Sequence, residues 1–67
     1  MNIKLLAEEL EHRGITKEEL ARECGITPNV INGIFSGRRT CTIENAKRIA
    51  DKLSMSSSRA VEVFLKA

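Results

Sequence analysis

The residues best suited to chemistry are polar side chains between positions 27 and 36. Asparagine is a middling helix former and glycine costs about 1 kcal/mol inside a helix, so neither is chosen there for stability. An asparagine amide can pair with N6 and N7 of adenine, and a glycine lets the protein backbone approach the groove of a nucleic-acid duplex. A plain polar solvent face is the alternative. The residues that we predict to contact base edges are Thr27, Pro28, Asn29, Asn32, Gly33 and Ser36.

Basic residues flank this segment. Arg38 and Arg39 are consecutive and precede a predicted helix start, which favours phosphate binding, although a helix C-terminus also favours cations. Lys17 lies at the positive end of a predicted helix, where a cation is unfavourable unless an anion approaches. The residues that we predict to contact phosphates are Lys17, Arg38, Arg39, Thr40 and Thr42.

The charge is unevenly placed along the chain. The net charge is only +2, but residues 1–26 carry six acidic and four basic side chains, whereas residues 27–67 carry three and seven. Such a distribution suits a polyanion bound on one face. A solvated, salt-bridged helix surface is the simpler alternative.

Other classes of function are poorly supported. The 67 residues contain no nucleophile motif and no glycine-rich phosphate loop, so we do not expect an enzyme. Cys24, Cys41 and His12 are too few for a structural zinc site, and we expect reduced thiols, no metal and no cofactor. No apolar run exceeds three residues, so we expect a cytoplasmic protein without a membrane span.

The positioning elements all have helical periodicity. Thr16 and Glu19 form a capping box, Thr27-Pro28 and Thr42 are further helix starts, and Gly14, Gly25 and Gly37 are stops. These signals predict an all-α, compact orthogonal bundle of five helices in a single domain, residues 1–67. Its predicted core includes Ile43 in the fourth helix and Val61, Phe64 and Leu65 in the last. We assign Val63 and Leu65 to a homodimer contact, with closure of the monomer core as the alternative.

The segment from Lys17 to Gly37 has the pattern of two short helices joined by a tight turn. Its fixed positions are Leu20, Ala21, Cys24, Gly25, Ile26, Ile31 and Ile34. This pattern resembles the helix-turn-helix of the phage repressor and Cro family, also called the xenobiotic-response-element family. Ile15-Thr16, Gly37-Arg38-Arg39 and the helix after Thr42 extend the resemblance over nearly the whole chain. The chain departs from the family at Leu10, Lys17, Pro28 and Cys41.

The resemblance implies a lambda-repressor-like DNA-binding domain. It implies a transcriptional regulator of the bacterial cytosol or nucleoid that places its third helix in the major groove of double-stranded DNA. A weak homodimer would read a pseudo-palindromic operator, and a Cro-like phage or mobile-element repressor would act by occupying it. An antitoxin or a restriction–modification controller would use the same fold. A protein-interaction module that has lost DNA binding is a further alternative.

Overall fold

The computed structural model describes residues 1–66, and its regular elements are all helical. The helical segment that ends at Ala60 runs directly into a π-helical turn, Val61–Leu65. The predicted all-α class with five helices is confirmed. The helices are α1 (Ile3–Arg13), α2 (Lys17–Cys24), α3 (Pro28–Ser36), α4 (Ile43–Lys52) and α5 (Ser57–Ala60).

Each helix is preceded by an N-cap residue, whose side chain accepts a hydrogen bond from the backbone N–H three residues later. In α2 this is a complete capping box, in which Thr16 Oγ1 accepts from Glu19 N and Glu19 Oε1 accepts from Thr16 N, both at 3.1 Å. Such caps each stabilise a helix by about 1 kcal/mol. The N-caps are Asn2, Thr16, Thr27, Thr42 and Ser56.

The core lies where α2 packs against α3 and α4, and α1 closes over α3. Most apolar residues that the helical periods turn inward are buried as predicted, and Cys24 and Phe35 are half-buried at its edge. The buried apolar residues are Leu6, Leu10, Leu20, Ala21, Ile26, Ile31, Ile34, Ile49, Leu53 and Val63.

Ile43 does not belong to this core. Its side chain is 78% exposed, which corrects the prediction that it faces inward. Successive helical residues are rotated by about 100°, so Ile43 lies roughly 80–120° around α4 from Ile49 and Leu53. Those two residues fill the core, and Ile43 is left on the flank of the helix.

The last turn also differs from the prediction. Val63 is fully buried, whereas Val61 and Leu65 are 40% and 74% exposed. An α-helical rotation and the smaller π-helical rotation both place Val63 on the side opposite Val61 and Leu65, so the period does not determine which side faces inward. Packing against the rest of the chain selects Val63. The carbonyl of Val63 also accepts from Asn2 N at 2.6 Å, which fixes this turn against the start of α1. Val63 is therefore a core residue and not a dimer contact, while Leu65 remains accessible.

Ion pairs join the helices at two places on the surface. Glu9 in α1 accepts from Arg59 Nε at 2.9 Å and from Arg13 Nε at 3.3 Å, and these partners lower the pKa of the Glu9 carboxyl. Lys52 in α4 lies 3.0 Å from a Glu23 carboxylate oxygen in α2. None of the helices within residues 1–66 has the length and apolar character needed to cross a membrane.

Candidate nucleic-acid interface

A tight turn sets the angle between α2 and α3. Gly25 ends α2 at φ +70°, a left-handed conformation that favours glycine, and Ile26 N donates to Ala21 O at 2.9 Å. Ala21 is buried at the crossing, and its small side chain lets α3 pass closely over α2. The buried side chains of Ile31 and Ile34 hold α3 in place. The side of α3 away from these residues is left open to solvent.

Asn29, Asn32 and Ser36 share that open side, since they lie three and four residues apart on α3. All three are exposed, as are Thr27 and Pro28 at the start of the helix. The Thr27 hydroxyl accepts from Val30 N at 3.3 Å, and its proton is still available to donate. Five of the six predicted base-contacting residues are therefore accessible together.

Gly33 is the exception. It is buried, because the side chain of Arg39 lies over it. The expectation of an open glycine backbone along the groove is therefore wrong for the free protein. What lies at this point of the surface is the aliphatic part of Arg39.

Each of three predicted phosphate-contacting cations lies against a residue of α3. Lys17 Nζ is 5.0 Å from the centroid of the Phe35 ring. Arg38 Nε donates to Ser36 Oγ at 3.0 Å, and Ser36 Oγ in turn donates to Gly33 O at 3.1 Å. Arg39 packs over Gly33. These contacts restrict basic side chains that would otherwise move freely in solvent.

The cations lie on both flanks of the open side of α3 that carries Asn29, Asn32 and Ser36, which we call the asparagine face. A rotation of about 100° per residue places Gly33 to one side of Asn32 and Phe35 to the other. Arg39 therefore borders one flank, with Arg38 beside it on Ser36, and Lys17 borders the opposite flank. A row of amides between two groups of cations matches a groove with phosphates along both walls.

The remaining predicted contacts lie between α3 and α4. Thr40 is exposed, and the hydroxyl of Thr42 accepts from Asn45 N at 3.1 Å as the cap of α4. The first amides of a helix point outward and attract anions. The loop thus presents hydroxyl and amide groups next to Arg38 and Arg39.

The two thiols lie in different places: Cys41 stands between Thr40 and Thr42 in the loop, whereas Cys24 Sγ lies 3.8 Å from the Arg48 carbonyl oxygen in α4. Burial raises the pKa of both Cys24 and Cys41, which keeps them protonated at neutral pH. The structure contains no disulfide between them. Within residues 1–66 no three His, Cys, Asp or Glu side chains lie close enough together to hold a metal ion.

The crossing of α2 and α3, the turn at Gly25 and the exposed polar face of α3 define a helix-turn-helix domain. A helix-turn-helix family model matches residues 6–58, and the chain belongs to this family of DNA-binding transcription regulators. The resemblance found in the sequence is thereby confirmed. Comparisons with curated proteins and with solved structures gave no significant match.

Sequence reasoning missed two features of the surface. Phe35 belongs to the apolar stripe of α3, and its ring is also the platform for Lys17, eighteen residues away, which no local pattern indicates. Ile43, Val61 and Leu65 form an exposed apolar patch with the small residues between them. The spacing of Ile43, Ala46 and Ala50, three and four residues apart, was the available signal for that patch.

Proposed function

We propose that the protein is a sequence-specific, double-stranded-DNA-binding repressor of the Cro-like phage or mobile-element kind. The observation that carries the proposal is the asparagine face of α3 bordered by Lys17 on one flank and Arg38 and Arg39 on the other. Helix α3 enters the major groove, where Asn32 reads a base edge and Asn29 a neighbouring one. We place this action at the bacterial nucleoid.

The cations provide affinity and fix the position of the protein along the DNA, and the asparagine amides provide sequence specificity. Lys17, Arg38 and Arg39, together with the hydroxyls of Thr40 and Thr42, bind phosphates and release counterions. Since the contacts to α3 already restrict the cations, less side-chain freedom is lost on binding. Repression follows from occupancy of the operator, which excludes other proteins from the same DNA.

Selection of binding sites from random duplex DNA at physiological salt tests this proposal. The wild-type protein should enrich one motif, and Asn32→Ala should blur it at one base pair at a cost of about 1–3 kcal/mol. Ser58→Ala, an exposed change on α5, is the matched control and should select the wild-type motif. A uniform loss over all sequences for Asn32→Ala would contradict its role as a base reader. Absence of any enriched motif from the folded wild-type protein would overturn the proposal.

An exposed apolar surface favours a dimer. Ile43, Ala46, Ala50, Val61 and Leu65 line one depression between α4 and the C-terminal turn, which we call the α4–C-terminal patch. A contiguous exposed apolar surface is a candidate interaction site. We infer that the patch is covered by a second copy of the chain.

Two observations support self-association over another partner. Lys47 lines the patch, and the exposed acid Glu62 directly follows Val61, which also lines it, so a two-fold contact can pair opposite charges. Ile43 also directly follows Thr42, so the patch adjoins the DNA-facing loop. Two copies that meet there would read half-sites about 34 Å apart. A patch of this size supports only a weak dimer.

Sedimentation velocity over a concentration series tests the dimer. Wild type should show concentration-dependent association, whereas Leu65→Ser and Ile43→Ser should remain monomeric without loss of fold. Lys66→Ser, an exposed neighbour of Leu65, should associate like wild type. A wild-type protein that stays monomeric and selects a single half-site would remove the dimer and leave DNA binding intact.

A further inference from the structure

Gly33 has no conformational reason to be a glycine. It lies inside α3, and the left-handed glycines of the described chain are Gly14, Gly25 and Gly37. Glycine is the poorest helix former except proline, so its presence at an interior position weakens α3. The reason must therefore lie in what approaches the missing side chain.

The approaching group is Arg39. A Cβ atom built on Gly33 would lie 2.6 Å from Arg39 Cδ, 2.8 Å from Cγ and 3.1 Å from Nε. The first two distances are shorter than any tolerated carbon–carbon contact, so the aliphatic part of Arg39 occupies the space of a side chain. The main-chain N–H of Arg39 also donates to Gly33 O at 3.1 Å. Backbone and side chain of Arg39 thus both contact the same residue.

The main-chain N–H of Arg38 donates to the same Gly33 O at 3.0 Å, but the side chain of Arg38 is held differently from that of Arg39. Arg38 Nε donates to Ser36 Oγ, and this contact does not involve the missing Cβ of Gly33. A side chain added at Gly33 would therefore displace Arg39 and leave the Arg38 contact in place. Arg38 can therefore serve as the control for Arg39 when the effect of a side chain at position 33 is measured.

We propose that Gly33 is a positioning residue, which lets Arg39 pack along the recognition helix and presents its guanidinium to DNA in one restricted orientation. The inference rests on the proposed DNA-binding function. Gly33 then acts on DNA through Arg39 and makes no backbone contact to the groove itself. Since ordering a long side chain on binding is unfavourable, prior restriction of Arg39 strengthens DNA binding.

The test is Gly33→Ala in three backgrounds, with dissociation constants measured for the selected DNA site. Gly33→Ala should fold with equal or greater stability, because alanine favours the helix and the displaced group is a flexible side chain. It should weaken DNA binding by about fivefold in the wild-type background. The same factor should appear in the Arg38→Ala background and vanish in the Arg39→Ala background.

A second measurement needs no DNA. In the free wild-type protein, nuclear Overhauser effects should connect the Gly33 Hα protons with the Hγ and Hδ protons of Arg39, and Gly33→Ala should abolish those contacts to Hγ and Hδ. Their absence from the wild-type protein would overturn the inference directly.

The outcomes separate the inference from the function on which it rests. Equal weakening in the Arg39→Ala background would mean that the Gly33 backbone contacts DNA itself, and would overturn the positioning role alone. Undiminished binding by Gly33→Ala would do the same. If the folded wild-type protein bound no duplex DNA, the proposed function and this inference would fall together.

Discussion

Lys17 Nζ lies 5.0 Å from the centroid of the Phe35 ring, so the first residue of α2 contacts the last turn of α3. The negative face of the ring offsets the unfavourable position of a cation at a helix N-terminus. The contact therefore holds a positive charge beside the recognition helix at a place where the local helix rule disfavours it.

The two members of this pair should affect DNA binding differently. Lys17→Ala removes the proposed phosphate contact, so it should weaken binding to all sequences and reduce the slope of log affinity against log salt by about one unit. Phe35→Leu keeps the charge but loses the platform, so it should cost about 0.5–1 kcal/mol of binding with the slope unchanged. Salt titrations of both variants check this. An altered slope for Phe35→Leu would contradict the assignment.

Glu9 should make stability depend on acid pH. Its hydrogen bonds from Arg59 and Arg13 hold its pKa below the ordinary 4.5 in the folded protein, so its stabilisation is present above about pH 4.5 and is lost as the pH falls through the lowered pKa. Glu9→Gln should lower the unfolding free energy at pH 7 by about 0.5–1 kcal/mol and show a smaller loss on acidification. Urea denaturation at pH 7, 5 and 3 measures both effects. Glu8→Gln, an exposed neighbour on α1, should behave like wild type.

Val63 and Leu65 should have opposite roles although both are apolar and only two residues apart. Val63→Ala opens a cavity at a fully buried position and should cost about 1–3 kcal/mol of unfolding free energy. Leu65→Ala should cost almost nothing in the monomer, because its side chain is already exposed. Urea denaturation at low protein concentration compares the two. Equal costs would contradict the observed orientation of the π-helical turn.

The turn between α2 and α3 should require a residue at position 25 that tolerates the left-handed backbone conformation. No atom lies within 4 Å of a Cβ built on Gly25, so a substitution there meets conformational strain and no clash. Gly25→Ala should therefore cost about 1–2 kcal/mol of unfolding free energy. Gly25→Asn should cost less, since asparagine tolerates this conformation. Similar losses for the two variants would indicate that the strain is not conformational.

Helix boundaries and the fold class could be predicted from the sequence because their causes are local. A hydroxyl such as that of Thr16 reaches an amide three residues away, and Gly25 reverses the chain within its own turn. The apolar periods of α1, α2 and α3 likewise place Leu6, Leu20 and Ile31 on the inner faces of their helices, and all three are buried. The pattern from Lys17 to Gly37 was specific enough to indicate the family.

The predictions failed where packing between distant segments chooses among equivalent local patterns. Ile43 and Ile49 both lie at helical spacing in α4, and only the space left by the other helices determines which one is buried. Val63 faces the core because the last turn packs against α1, where Asn2 N donates to Val63 O.

In the candidate site, too, some features follow from the sequence and others depend on the tertiary structure. The identities of Asn29, Asn32, Arg38 and Arg39 and their order along the chain follow from the sequence, and together with the resemblance to the helix-turn-helix family they indicate duplex DNA. The pairing of Lys17 with Phe35 and of Arg39 with Gly33 depends on how α2 and the loop after α3 fold over the recognition helix. Side-chain contacts across a turn or between helices depend on three-dimensional distances, which residue types and spacing along one helix do not specify.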